Sequence, residues 1–404
     1  MANLLFPFEE MLDFQKLMFE KIVKNNQNFI KALNILTNPP EVEVGMTPAD
    51  VVYKFKDIKL LHYKPMTERQ EPVPILIIYA LINRPYILDL QPDRSVVKFL
   101  LQNGYDVYLI DWGEPKEKDH LWKIDDYVNT FIDRIVDYVT DESGLDQISI
   151  LGYCMGGTLS TIYTALHPEK VKNLMIMAAP IYFETDESLL HVWANPDYFN
   201  VDLVVDTLGN IPPDFLNGGY AFLDPVGNNY SKYLKFIENV DNDAFVRMFL
   251  RMEKWINDGI PLAGETFREF LKYGYQQNLL VQNKWKINGE TVNLKKIDMP
   301  ILTIIGQYDN LVPPTATKPL LDYVGSTDKK EILLPTGHIG LSVSSKSHRE
   351  LWPKVVDWLR PRSNNGTSTK TEKKQTASSK TTRKTSKRSA KAKTNSKSQT
   401  RSKK

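Results

Sequence analysis

From residue 50 the chain alternates short apolar runs with segments of helical periodicity. Residues 51–53 and 60–63 read as strands, and 75–79 is a stronger one, followed by a loop and a helix near 95–102. Residues 107–111 form the next strand, and 124–139 carry apolar side chains at helical spacing. A strand over 147–153 leads into a helix over 155–166, and 174–177 is a further strand. After a long interval, strands at 301–305 and 331–334 and a closing helix at 351–359 complete the series. Continuously apolar strands alternating with helices predict an α/β fold: a mostly parallel sheet covered by helices on both faces.

Three segments depart from this rhythm. Residues 1–44 form an N-terminal amphipathic segment in which Phe8, Met11, Leu12, Leu17, Met18, Ile22, Phe29, Ile30 and Leu33 approximate a helical stripe. Pro39 and Pro40 end it, since neither continues a helix. Such a helix packs on its own domain or docks a partner subunit. The interval 181–285 is helical in flavour, with Pro212-Pro213 and Gly218-Gly219 as punctuation, and holds 19 of the 43 aromatic residues. Aromatics gathered outside the sheet predict a lid inserted over a site, the alternative being a second hydrophobic core. The α/β core is then 45–180 and 286–361. Residues 362–404, rich in Lys, Arg, Ser and Thr without any aromatic, are expected to be a disordered basic tail.

Composition narrows the class. A net charge of +2 hides a split: residues 362–404 hold 15 Lys/Arg and one acid, while the rest holds 36 basic and 48 acidic residues. The tail therefore carries +14 and the body −12. The longest nearly apolar run, 73–82, is too short to cross a bilayer. The N-terminus lacks the basic region and cleavage site of a signal peptide, and the single cysteine excludes an intrachain disulfide or a multi-cysteine metal cluster. A cytoplasmic protein is expected, with no metal and no cofactor.

The chemistry centres on Gly152-Tyr153-Cys154-Met155-Gly156-Gly157 between strand and helix. This is the pattern of a nucleophile elbow with Cys in place of Ser. Glycines on either side keep Cβ atoms out of a crowded turn, and the helix N-terminus favours a thiolate and a developing oxyanion. A buried structural cysteine would explain neither the glycines nor the strand-to-helix switch. The base and orienting acid should follow in the order acid, then His. Asp309 follows the 301–305 strand, and His338 follows the 331–334 strand. Both thus lie at strand C-terminal ends, where α/β sheets place chemistry. Asp111 is a rival acid but precedes the nucleophile. His62, His120, His167, His191 and His348 lack the strand-end context. Backbone N–H groups of Met155 and, from the loop after 75–79, Ile82 are the expected oxyanion donors.

These residues, together with Tyr79–Pro92, Asp106–Gly113 and Pro335-Thr336-Gly337-His338, resemble a polyhydroxyalkanoate synthase. The resemblance covers roughly 45–360 and is to the catalytic subunit of the short, two-component class (class III) within the α/β-hydrolase superfamily. It implies an α/β-hydrolase fold with an inserted helical lid. It also implies an acyltransferase that polymerises 3-hydroxyacyl-CoA, with 3-hydroxybutyryl-CoA the expected short-chain monomer, and releases CoA. The CoA thioester is a substrate rather than a cofactor. A second synthase subunit, a homo-oligomer and a place at the surface of polyester granules belong to the same implication. Where the family pattern often has His after the acid, this chain has Asn310.

The residue types suit that chemistry. Cys154 would exchange with the CoA thioester, His338 oriented by Asp309 would handle the protons, and a lid would exclude water. A Cys-dependent hydrolase or thioesterase of the same fold is the nearest alternative. From another class, the basic tail would make the chain a nucleic-acid-binding or granule scaffold protein, binding polyanions without sequence preference. Arg247 and Arg251, four apart on a lid helix, are candidate CoA phosphate contacts among several cations.

Overall fold

Apolar strands must be covered on both sides, and the chain does this with eight of them. The computed structural model describes Lys16 and residues 24–363; the proposed stripe from Phe8 to Ile22 and the tail beyond Ser363 lie outside the described residues. The strands are β1 (Ala49–Phe55), β2 (Ile58–Tyr63), β3 (Ile75–Ile78), β4 (Val107–Asp111), β5 (Ile148–Tyr153), β6 (Val171–Met177), β7 (Ile301–Gly306) and β8 (Lys329–Leu334). Their order across the sheet is β1-β2-β4-β3-β5-β6-β7-β8. β1 pairs with β2 and β2 with β4 antiparallel, and the remaining neighbours are parallel. Strands β3, β5 and β7 are buried along their whole length, as a central parallel strand under helices must be. The edge strands β1 and β8 carry exposed residues.

Helix α1 occupies 24–37. Helices α2 (Val96–Gln102), α3 (Asp133–Ser143) and α4 (Met155–Leu166) cover the sheet. Ser95 caps α2 by accepting the Lys98 N–H at 2.9 Å. The predicted helix over 124–139 departs from a regular α-helix: Asp126–Ile132 is a wide π turn that runs into α3. From it Tyr127 and Phe131 both reach the Trp122 ring, at centroid distances of 5.9 and 5.1 Å.

Between β6 and β7 the chain leaves the sheet and forms a cap of helices: α5 (Leu189–Trp193), α6 (Val201–Leu208), α7 (Pro213–Ala221), α8 (Lys232–Glu238), α9 (Asp243–Asn257) and α10 (Gly264–Glu269). Arg268 binds this cap together through Asp202, Asp206 and Glu265. The cap shares the main hydrophobic core through Trp255, Phe267 and Phe270.

Helix α1 corrects the expected orientation of the N-terminal segment. Phe29, Ile30 and Leu33 are exposed, whereas Ala32 is buried against Phe236, Val240, Val246 and Leu250 of α8, α9 and their connection. The small side chain allows close helix approach, and Lys31 fixes the docking through Asp241 at 2.7 Å. The helix therefore packs on the cap through a different face from the one its largest apolar residues mark.

The other end of the core also extends further than composition suggests. Arg362 donates to both carboxylate oxygens of Asp328 (2.9 and 2.7 Å), and its carbonyl accepts from Asn173. Ser363 is buried and donates to the Leu359 carbonyl at 3.0 Å. These two residues belong to the folded body, although the charge count assigns them to the tail.

Candidate active site

At the end of β5 the chain turns sharply into α4, and Cys154 is the residue at the turn. Its backbone lies at φ 55° and ψ −130°, a conformation that costs a non-glycine residue of order 1–3 kcal/mol. The turn is possible only because three neighbours lack side chains. A Cβ on Gly152 would sit 2.5 Å from Ser160 Oγ, on Gly156 2.2 Å from the Ile78 carbonyl oxygen, and on Gly157 2.5 Å from Ala179 Cβ. The Cys154 N–H is anchored on the Met177 carbonyl of β6 at 2.9 Å. The Cys154 carbonyl accepts the Gly157 N–H at 2.8 Å, closing the first turn of α4.

Asp309 and His338 reach the same point from the loops after β7 and β8. The Asp309 Oδ1 accepts the N–H groups of Leu311 (3.0 Å) and Val312 (2.8 Å), so the carboxylate organises its own loop. Its Oδ2 lies 2.7 Å from His338 Nδ1. The Tyr308 N–H donates to the Thr336 carbonyl at 3.0 Å and ties the two loops together. The remaining imidazole nitrogen is left for Cys154, which is near enough to act on the protonation of His338. Burial alone would push the imidazole towards its neutral form. The charge of Asp309, the Cys154 sulfur and the hydrogen bond to Asp309 oppose this and raise its pKa to about 10.

The structure thus brings together the three residues singled out from sequence and leaves the rivals elsewhere. Asp111 accepts the Gly113 N–H and lies 3.8 Å from Lys59. His62 pairs with Asp106 and stacks on Tyr108, His120 bonds the Glu117 carbonyl, His167 bonds Asn129 and His348 bonds the Ser342 carbonyl. His191 sits on cap helix α5.

Tyr153 is a site residue that sequence reasoning missed. Its hydroxyl donates to the His338 carbonyl at 3.0 Å, and its ring lies against the imidazole at 5.2 Å. Its place immediately before the cysteine was the available signal, since a strand residue next to the elbow must face the loops that close over it.

Above Cys154 a cavity of about 530 Å³ separates sheet and cap. Ile82, Cys154 and Met155 line its floor, and Trp193, Phe199, Phe215, Tyr220, Phe267 and Tyr275 contribute to an aromatic wall. Met155 is the first residue of α4, so its N–H has no intrahelical partner. The loop carrying Ile82 is tied to the cap: its carbonyl accepts the Ile260 N–H (3.4 Å), and the Arg84 carbonyl accepts Trp255 Nε1–H (2.9 Å). Below this loop the buried Asp89 receives hydrogen bonds from Thr47 and Ser95, fixing its far end. Arg251 does not line this cavity; it donates to the Glu43 carbonyl and to Gln91. Arg247 does not line it either. Among the described residues no group of three or more His, Cys, Asp or Glu side chains is placed to hold a metal ion, and no helix is long and apolar enough to cross a membrane.

A mostly parallel sheet in this strand order, with a sharp strand-to-helix elbow after β5, an acid after β7 and a histidine after β8, defines the α/β-hydrolase fold. Residues 73–344 match the family model of that fold, and residues 18–100 match the N-terminal model of poly-beta-hydroxybutyrate polymerase (PhaC). Among solved structures, a soluble variant of monoglyceride lipase from Saccharomyces cerevisiae superposes with a TM-score of 0.55 at 15% identity, over 81% of this chain and 99% of that one. That likeness concerns the fold alone.

Sequence relatives carry the assignment further. The chain is 52% identical to the poly(3-hydroxyalkanoate) polymerase subunit PhaC of Haloferax mediterranei over 89% of its own length and 73% of that protein. It is 42% identical to the subunit of the same name from Allochromatium vinosum, over 88% of this chain and 97% of that one. The chain belongs to the poly(3-hydroxyalkanoate) polymerase PhaC family, and it is a transferase that makes polyester.

Proposed function

We propose that this chain polymerises 3-hydroxyacyl-CoA through a covalent intermediate on Cys154, with 3-hydroxybutyryl-CoA as the monomer. The observation that carries the reading is the convergence of Asp309, His338 and Cys154 at the floor of an aromatic cavity, with Asp309 Oδ2 2.7 Å from His338 Nδ1 and Cys154 acting on the same imidazole. With its proton held on His338, Cys154 Sγ attacks the thioester carbonyl carbon, the carbon–sulfur bond to CoA breaks, and His338 gives that proton to the departing CoA sulfur. One thioester replaces another, so this step is nearly isoenergetic. The 3-hydroxyl of the next unit then gives its proton to His338 and attacks the acyl-cysteine, forming an ester and freeing Sγ. Asp309 holds the imidazole in the tautomer that both steps need. The Met155 and Ile82 N–H groups receive the carbonyl oxygen as it becomes an oxyanion.

The aromatic cap disfavours water, which would otherwise hydrolyse the acyl-enzyme. The proposal includes a second synthase subunit, association with granules and an electrostatic role for the basic tail, none of which the chemistry of Cys154 requires. Cys154→Ala is the test: it should abolish CoA release from 3-hydroxybutyryl-CoA. Retained CoA release would refute the covalent route, and free hydroxy acid in place of insoluble polyester would indicate a hydrolase.

A further inference from the structure

The cavity above Cys154 is not sealed: Phe222, at the end of α7, borders it while remaining 67% exposed. From there the chain enters a helical stretch over 225–238, a π turn followed by α8. Along it Val226, Tyr230 and Leu234 recur at intervals of four and are 64%, 63% and 43% exposed. Four-residue spacing puts them on one face of a helix. A strip of large apolar side chains thus starts at the cavity mouth and runs outward over the cap, while Phe236 of the same helix is buried against α1 and α9. A contiguous exposed apolar strip on a folded surface marks a contact for an apolar partner.

The geometry points to the growing polyester itself as that partner: the chain leaving Cys154 emerges past Phe222 and lies on the Val226–Tyr230–Leu234 face. This inference rests on the polymerase reading of the site. The occupant is chosen by connection. An acyl chain attached to Sγ has to leave where the cavity faces outward; Phe222, at 67%, is more exposed than the lining Phe215 (41%) and Trp193 (36%), and the tether presents the chain to the adjoining strip at high effective concentration. An aliphatic polyester offers methyl and methylene groups and only weak acceptors. It therefore suits a strip of Phe, Val, Tyr and Leu without an ionised side chain among those four residues. A protein partner or a second copy would occupy the strip without any connection to Cys154.

The test compares wild type with the triple variant Val226→Ser, Tyr230→Ser, Leu234→Ser, and with a control, Val51→Ser, Leu333→Ser, which trims exposed apolar residues on the two edge strands. Each full-length protein is mixed with preformed poly(3-hydroxybutyrate) particles and its co-sedimentation measured, with thermal melting to verify folding and light scattering to give mass. The triple variant should be retained roughly tenfold less than wild type, since apolar contact area sets the affinity, while the control is retained like wild type. Equal retention of triple variant and wild type overturns the inference, as does an equal loss in the control. A fall in mass from dimer to monomer without loss of retention assigns the strip to a second copy and also overturns it. CoA release by the wild type tests the polymerase reading separately, because particle retention requires no turnover.

Discussion

Asp309→Asn isolates the orienting role of the acid more cleanly than any deletion. In the wild type, Oδ1 accepts two backbone N–H groups, from Leu311 and Val312, and Oδ2 faces His338 Nδ1 at 2.7 Å. An asparagine must keep its carbonyl oxygen towards the two N–H donors, because its amide group there would place donor against donor. The NH2 group then faces His338 Nδ1 and can only donate to it. Nδ1 becomes the acceptor, the proton moves to Nε2, and the imidazole can no longer take a proton from Cys154 or from an incoming hydroxyl. The loop keeps its two backbone hydrogen bonds, so folding should change by no more than roughly 1 kcal/mol for one altered pair. The rate should fall by a factor on the order of 10³–10⁴, the scale associated with a wrong tautomer in an acid–His–nucleophile triad. Loss of the carboxylate charge also removes the opposition to burial, so the imidazole pKa moves down from about 10. The assay is CoA release from 3-hydroxybutyryl-CoA with thiol alkylation of Cys154 in parallel, and both should slow. A variant within tenfold of wild type in CoA release would refute the orienting role.

Tyr153→Phe removes the hydroxyl donated to the His338 carbonyl but keeps the ring contact, so about 1 kcal/mol of stability and a several-fold loss in kcat are expected from melting and turnover assays. Cys154→Gly relieves the strained φ of 55° and should raise the unfolding free energy by about 1 kcal/mol while abolishing turnover; a lower Tm would count against the strain. Gly156→Ala places a Cβ 2.2 Å from the Ile78 carbonyl oxygen and should cost about 3 kcal/mol or prevent folding, read by denaturant unfolding. The raised His338 pKa gives a signed pH dependence. Its stabilisation is complete below the ordinary value near 6.5 and is lost as pH rises through about 10. The stability gap between wild type and His338→Gln should therefore narrow steadily across that window.

Much of this site could be read in one dimension. A largely apolar strand, then Gly-x-Cys-x-Gly-Gly, then a helix, leaves a single backbone solution. The covalent sterics of Gly152, Gly156 and Gly157 are local, and so is the capping of the α4 N-terminus. Asp309 and His338 were legible for a related reason: in a parallel sheet every loop after a strand opens at the same end, so strand order along the chain carries information about neighbourhood in space. The cap was visible as an excess of aromatics in one interval, although composition alone left it open whether they line a site or fill a core. They do both.

Other features depended on contacts between segments distant in sequence. Helix α1 faces the cap through Ala32, whose partners Phe236, Val240, Val246 and Leu250 come about 200 residues later, while Phe29 stays exposed. Tyr153 acquires its role only when the loop bearing His338 folds back over β5. Arg362 looks like the first residue of a basic tail until Asp328 is found beside it. Local sterics and periodicity determined the turn at Cys154 and the alternation of strands and helices, since each depends on residues a few positions apart. Which face of α1 is buried, what holds the imidazole, where the folded body ends and where the cavity opens were decided by tertiary packing, because shape and charge complementarity between remote surfaces leaves no periodic trace in either one alone.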